Sequence, residues 1–204
     1  LVAEMPGQPP RPKVPILDVK ERNMKHAISG AALAVLLLAG CAETQRAADT
    51  TVAAAKAQVN PTLSTTDATF MTVAARGGMA EVQLGQLAQQ NGRSPAVKRF
   101  GEQMVLEHGP ANQELMALAQ QKQITPPDGI GADHQQVQDR LAGLKGRAFD
   151  QAYAQAMVED HQEVLRVYQE EAQNGTDAEV KAFAARHVPV LQQHLRAAQQ
   201  LARR

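Results

Sequence analysis

Four stretches of this chain carry apolar residues at spacings of three and four over many successive turns. Only an α-helix puts such positions on one face, so the chain has to bury four long helical stripes against one another. The first stripe reads Phe70, Ala74, Gly77, Leu84 and Ala88, on a helix expected from Asp67 to Asn91 with Thr66 as N-cap and Gly92 as its stop. The second follows Ser94 as N-cap and Pro95 at the first helical position, where a missing N–H costs nothing, and extends to Lys122. Its stripe is Val97, Phe100, Met104, His108, Ala111, Leu115 and Leu118. The third spans Ala148 to Asn174 with Phe149, Tyr153, Met157, His161, Val164 and Tyr168. Thr176 and Glu179 have the spacing of a capping box for the fourth, whose stripe is Val180, Phe183, His187, Val190, His194, Ala198 and Leu201.

The connections restrict the topology. Gly92-Arg93 and Gly175-Thr176 are tight helix–helix links, whereas "ITPPDGIG" ends the second helix and opens a long crossover with a short helix over Asp133 to Leu144. An all-α fold follows: a four-helix bundle with a long crossover carrying a short extra helix between the second and third long helices. Composition agrees, since aromatic residues make up only 3% and Ala and Gln abound, which favours close-packed helices over a β-sandwich. Lys+Arg and Asp+Glu both number 21, so no basic surface points to nucleic acid.

Each stripe also holds a polar residue where an apolar one belongs. These are His108, His161 and His194 on three helices, and Glu81 on the first, between Gly77 and Leu84. All four lie near the middle of their helices, so their depths match whichever way the helices run. Three imidazoles and one carboxylate suit zinc, copper or iron, and no cluster of oxygens offers itself to calcium. Met104 and Met157, one turn before a histidine, would add sulfur and favour copper, and Glu107 and Asp160 are further ligand or supporting candidates. His187 is a weaker candidate in a second polar layer, and His26 and His134 fall outside the pattern. The alternative is structural: a histidine on an apolar face is commonly a hydrogen-bonded core residue, and a methionine there fills space. Pro110 and Pro189, each two residues after a histidine, are expected to kink their helices and open the bundle at its middle.

The single cysteine, Cys41, excludes an intrachain disulfide and a cysteine-based metal cluster. It ends "MKHAISGAALAVLLLAGC", which has the charged start, short apolar run and small-residue exit of an export signal. Leu38-Ala39-Gly40-Cys41 resembles the lipobox of bacterial lipoproteins. That resemblance implies a diacylated Cys41 as mature N-terminus, and two acyl chains anchor stably where one would not. Ala42 in place of Asp implies the outer membrane, with the domain facing the periplasm. The expected organisation is an upstream extension over 1–23 that is not translated, a signal peptide over 24–40, lipidated Cys41 with a flexible tether to 65, and the helical domain from 66 to 204. Lys20-Glu21-Arg22 before Met24 can be encoded by a ribosome-binding run, which places the start at Met24.

"DATFMTVAARGGMAEVQLGQLA", "VKRFGEQMVLEH", "LKGRAFDQAYAQAMVEDH" and "FAARHVPVLQQHL" resemble, in order, the blocks of a bacterial family of exported, ferritin-like four-helix proteins of unknown function. The resemblance covers about Ser64 to Leu201 and implies a ferritin-like fold and an envelope location, but no activity. Family members typically have Asp-His in the second helix; Glu107-His108 is a near match, and Gly109-Pro110 a local departure. Ferritin-type di-iron sites need two Glu-x-x-His motifs, and this chain contains none. No nucleophile elbow or phosphate loop is present either. The sequence therefore leads to a non-enzymatic, lipid-anchored envelope protein that binds a transition metal through His108, His161, His194 and Glu81. The alternatives are a structural or interaction module with packing histidines, and more remotely a metal-dependent redox enzyme.

Overall fold

The computed structural model describes residues 63–204, so the signal, Cys41 and the tether up to residue 62 lie outside the described residues. The described part is all-helical: α1 (Thr65–Asn91), α2 (Pro95–Gln121), α3 (Ala132–Ala142), α4 (Gly146–Asn174) and α5 (Ala178–Ala202). Among these residues no helix is long and apolar enough to cross a membrane.

Capping places the helix ends. α1 starts two residues before the expected position, because Ser64 is its N-cap: Ser64 Oγ accepts from Asp67 N, and the Asp67 carboxylate accepts from Ser64 N. Such a reciprocal box is worth about 1 kcal/mol. Thr66, the expected cap, lies within the first turn. At α5 the expected Thr176–Glu179 box is replaced by Asp177, whose Oδ1 accepts from Glu179 N and Val180 N. Thr176 is diverted to another partner, donating both its N–H and its hydroxyl to Asp67. α2 ends where Gln123 takes a left-handed conformation (φ 56°) and Ile124 N reaches back to Ala119 O.

α1 packs mainly on α2 and α4 on α5, with α1 also against α4 and α2 against α5. Asp150 on α4 accepts from the backbone N–H groups of Arg93 and Ser94, which holds the start of α4 beside the α1–α2 link. At the opposite end, Asp67 joins the start of α1 to the α4–α5 link, and Lys122 pairs with Asp177 and Glu179. α1 and α5 therefore run one way and α2 and α4 the other, with α3 covering part of the long return. Gly85 and Gly101 permit the close α1–α2 approach. A Cβ on either would come within 2.5 or 2.6 Å of the other's carbonyl oxygen.

The core comes in two blocks. One contains Phe70, Leu115, Tyr168, Phe183 and Leu191; the other contains Leu84, Phe100, Met104, Phe149, Tyr153 and Met157. Each fully buried side chain of this size stabilises the fold by about 1.5–3 kcal/mol relative to exposure. On α5 the stripe is completed by Leu191, which is buried, rather than by Val190, which is only partly so. Along every long helix the residues of one block are separated from those of the other by one polar position: Glu81, His108, His161 or His194.

Candidate metal centre

Those four side chains meet. His108, His161 and His194 have ring centroids 5.2–6.2 Å apart, and all three rings are buried, as is Glu81. α2 and α5 continue without a break through Pro110 and Pro189, and the rings touch across the middle, so the expected opening at this level is not found. A proline in a long, packed helix loses one hydrogen bond, but the neighbouring turns hold it in register.

The hydrogen bonds assign the protons. His108 Nδ1 lies 2.8 Å from Glu81 Oε2, and His161 Nδ1 lies 2.9 Å from the carbonyl of Met157. His194 Nε2 lies 2.8 Å from Glu107 Oε2. In each case the partner is an oxygen that can only accept, so the imidazole nitrogen must donate. The second nitrogens are then bare in a neutral ring: His108 Nε2, His161 Nε2 and His194 Nδ1. His108 Nε2 and His194 Nδ1 face each other at 3.3 Å. His161 Nε2 stands 3.1 Å from Glu81 Oε1, yet neither atom has a hydrogen-bond partner. Two pairs of lone-pair donors thus face each other in a buried space, and the three histidines each bring a ligand nitrogen within 4.8 Å of the others; each pair repels itself unless a proton or a metal cation sits between its members.

The electrostatics follow the same logic. Burial works against ionisation of Glu81, but the imidazoles of His108 and His161 outweigh it and hold the carboxyl at about 2. Burial lowers the pKa of His108, and the Glu81 carboxylate more than restores it, raising it above the ordinary 6.5. His194 is lowered, by burial and by its cationic neighbour His108. A proton shared between the facing nitrogens of these two rings therefore favours His108, with His194 Nδ1 accepting from its Nε2–H.

The other sequence candidates separate. Glu107 is 41% exposed yet bonded to His194, so it orients that ring from the surface. Met104 and Met157 are fully buried in the apolar block with Phe149 and Tyr153. His187 lies apart, donating to Phe183 O and packed on the Phe183 ring at 4.3 Å. Asp160 pairs with His134, which the stripe pattern had passed over because it sits on α3, outside the four long helices. Asp67 and Glu171 were not anticipated either. Both carboxylates are buried and close together at the far end, where a Cβ on Gly175 would collide with Glu171 Oε1. Asp67 was legible only as a first-turn acid, and Glu171 only as one of two adjacent glutamates.

The class defined by this fold and site is an all-helical domain with a buried layer of three histidines and a carboxylate. The family model for a domain of unknown function, DUF4142, matches residues 52–201, and the chain belongs to that family. No curated protein matches by sequence. Two solved structures share the helical fold. One is a Streptomyces coelicolor protein described as secreted and as DUF305, with a TM-score of 0.58 at 16% identity, over 67% of this chain and 89% of its own. The other is CopM in its Cu(II)-bound form, with a TM-score of 0.58 at 16% identity, over 67% of this chain and 95% of its own.

Proposed function

We propose that this domain is a ferritin-like four-helix bundle that binds one transition-metal ion through His108 Nε2, His161 Nε2, His194 Nδ1 and Glu81 Oε1. The observation that carries the reading is the commitment of every other imidazole nitrogen to an accepting oxygen. Metal-bound histidines are held this way, each donating its second N–H to a carboxylate or carbonyl that fixes its tautomer. The separations fit as well. Bonds near 2.0–2.1 Å at tetrahedral angles set donor atoms about 3.3 Å apart, and two of the gaps measure 3.3 and 3.1 Å. A purely structural layer would need an extra proton between Glu81 Oε1 and His161 Nε2, 3.1 Å apart, which otherwise stay buried and unpaired at about 1–3 kcal/mol each.

Three nitrogens and one oxygen suit copper(II) or zinc, with iron less favoured, and the copper-bound state of CopM supports testing copper first. The donor set lacks the second carboxylate pair of a ferritin-type di-iron centre, and the role proposed is binding of a single ion. The lipobox resemblance at Cys41, together with the secreted description of the Streptomyces protein, supports an exported, lipid-anchored protein on the periplasmic face of the outer membrane. Metal content of protein isolated from the periplasm, by mass spectrometry of the elements, tests the function. Near one equivalent is expected in wild type and almost none in His108→Ala or His161→Ala. Equal, trace content in all three proteins would overturn the reading.

A further inference from the structure

A second group of donors adjoins the first. Glu81, Asp160 and His161 each present a ligand atom, all within 4.8 Å of one another. Two oxygens of this group, Glu81 Oε1 and Asp160 Oδ2, are buried without a hydrogen-bond partner, and the Glu81 side chain is 1% exposed. His161 belongs to both groups. Its Nδ1 is spent on the Met157 carbonyl, so each group needs the same Nε2. One nitrogen cannot serve two ions, and the two groups are therefore alternative positions for a single ion.

The positions differ in access and in chemistry. His134 and Asp160 are 24% and 15% exposed, whereas Glu81 and His161 are at 1% and 0%, so a line of ligating groups runs inward from α3. The outer group has two carboxylates and one imidazole, a harder set that accepts many divalent ions; the inner has three imidazoles and selects borderline metals. Glu107 offers no equivalent path, because it holds His194 by the nitrogen that faces away from the centre. His134 blocks one oxygen of Asp160: its Nδ1 faces Ile130 O and its Nε2 faces Asp160 Oδ1 at 3.0 Å, so both nitrogens carry protons.

We propose that Glu81, Asp160 and His161 form an outer loading site for a divalent metal ion, which passes to the three-imidazole site by pivoting on His161 Nε2. His134 is a latch that holds Asp160 until the ion arrives. This rests on the metal-centre reading above and adds an order of events to it. On transfer the ion exchanges the Asp160 oxygen for the nitrogens of His108 and His194.

Stopped-flow absorbance with Co(II), whose visible bands report coordination, tests it on the wild type, Asp160→Asn and His134→Gln. Asp160→Asn should load about tenfold more slowly, with its equilibrium Kd within about threefold of wild type, because a transit ligand changes entry and exit together. His134→Gln, which frees the Asp160 carboxylate, should load at least as fast as wild type. Loading of Asp160→Asn at the wild-type rate overturns the proposal. So does slowing of both variants alike, which would make the pair a brace between α3 and α4, or a Kd weakened in step with the rate, which would make Asp160 a resident ligand. No uptake of Co(II) by the wild type would remove the metal centre itself.

Discussion

Glu81 and Glu171 are the same residue type, at 1% and 0% exposure, and at neutral pH they hold opposite charge states. Glu81 stands among imidazoles, which overcome its burial and keep it ionised with a pKa of about 2. Glu171 is pushed up to about 8, first by burial and then by Asp67 beside it, so it is protonated. Asp67 keeps the charge of that pair. Burial opposes this, but hydrogen bonds from Thr176 and Ser64 outweigh it and set Asp67 at about 2. Burial alone therefore decides little: the sign of the nearest partner determines whether an interior carboxyl is an anion ready for a cation or a neutral acid. On the proposed reading the mid-helix layer keeps its charge for a positive guest, whereas the end cluster carries its own proton and ties the start of α1 to the α4–α5 link.

Several substitutions break or sharpen this contrast. The largest effect belongs to His161→Ala, which removes a donor common to both ion positions. Calorimetric titration with Cu(II) should show affinity lower by a factor on the order of 100 or more. Next, Glu81→Gln should weaken Cu(II) binding by about 10–100-fold. In the metal-free protein it should also cost about 3 kcal/mol in urea unfolding, because a buried His108 imidazolium loses its counter-ion. Unchanged stability there would mean that the layer is held by packing rather than by charge.

The pH dependence separates the two carboxyls further. The folded pKa of His108 is raised, so its contribution to stability is complete below the unfolded value of 6.5 and lost as pH rises through the folded one. Glu81 is lowered, so its contribution is complete above 4.5 and lost as pH falls toward about 2. Metal must displace the proton between His108 and His194. Copper affinity should therefore rise about tenfold per pH unit until His108 is deprotonated, and then level off. The smallest effect comes from Glu171→Gln, and its sign is opposite. Glu171 is raised, so the wild type loses stability as pH climbs from 4.5 to about 8. The variant should match the wild type at pH 4 and exceed it by about 1–2 kcal/mol at pH 9, with copper affinity unchanged. A destabilised variant at pH 9 would show that Glu171 is ionised and paired in the fold.

Much of this was legible in the chain. The stripes through Phe70, Phe100, Phe149 and Phe183 placed the long helices, because period and length leave few other ways to bury those residues. The misplaced polar residues of the stripes were likewise visible, and His108, His161, His194 and Glu81 do come together. Ser94 caps the second long helix as expected, but the starts of the first and last differ. Ser64 and Asp177 are the caps, and Thr176 serves Asp67 from across the domain, a contact no local pattern contains. His134 lies on α3, outside the four stripes, so no stripe pattern reveals its pairing with Asp160.

By itself, the sequence determined an all-helical domain, the levels at which polar groups enter its core, and which residue types stand there. Periodicity is a local property and survives without any knowledge of neighbours. Only the tertiary structure decided which nitrogen of each histidine faces inward, that Glu81 is charged while Glu171 is neutral, and that Asp160 adjoins the same layer. Those outcomes depend on distances of about 3 Å between atoms from different helices. No spacing along a single chain specifies such distances.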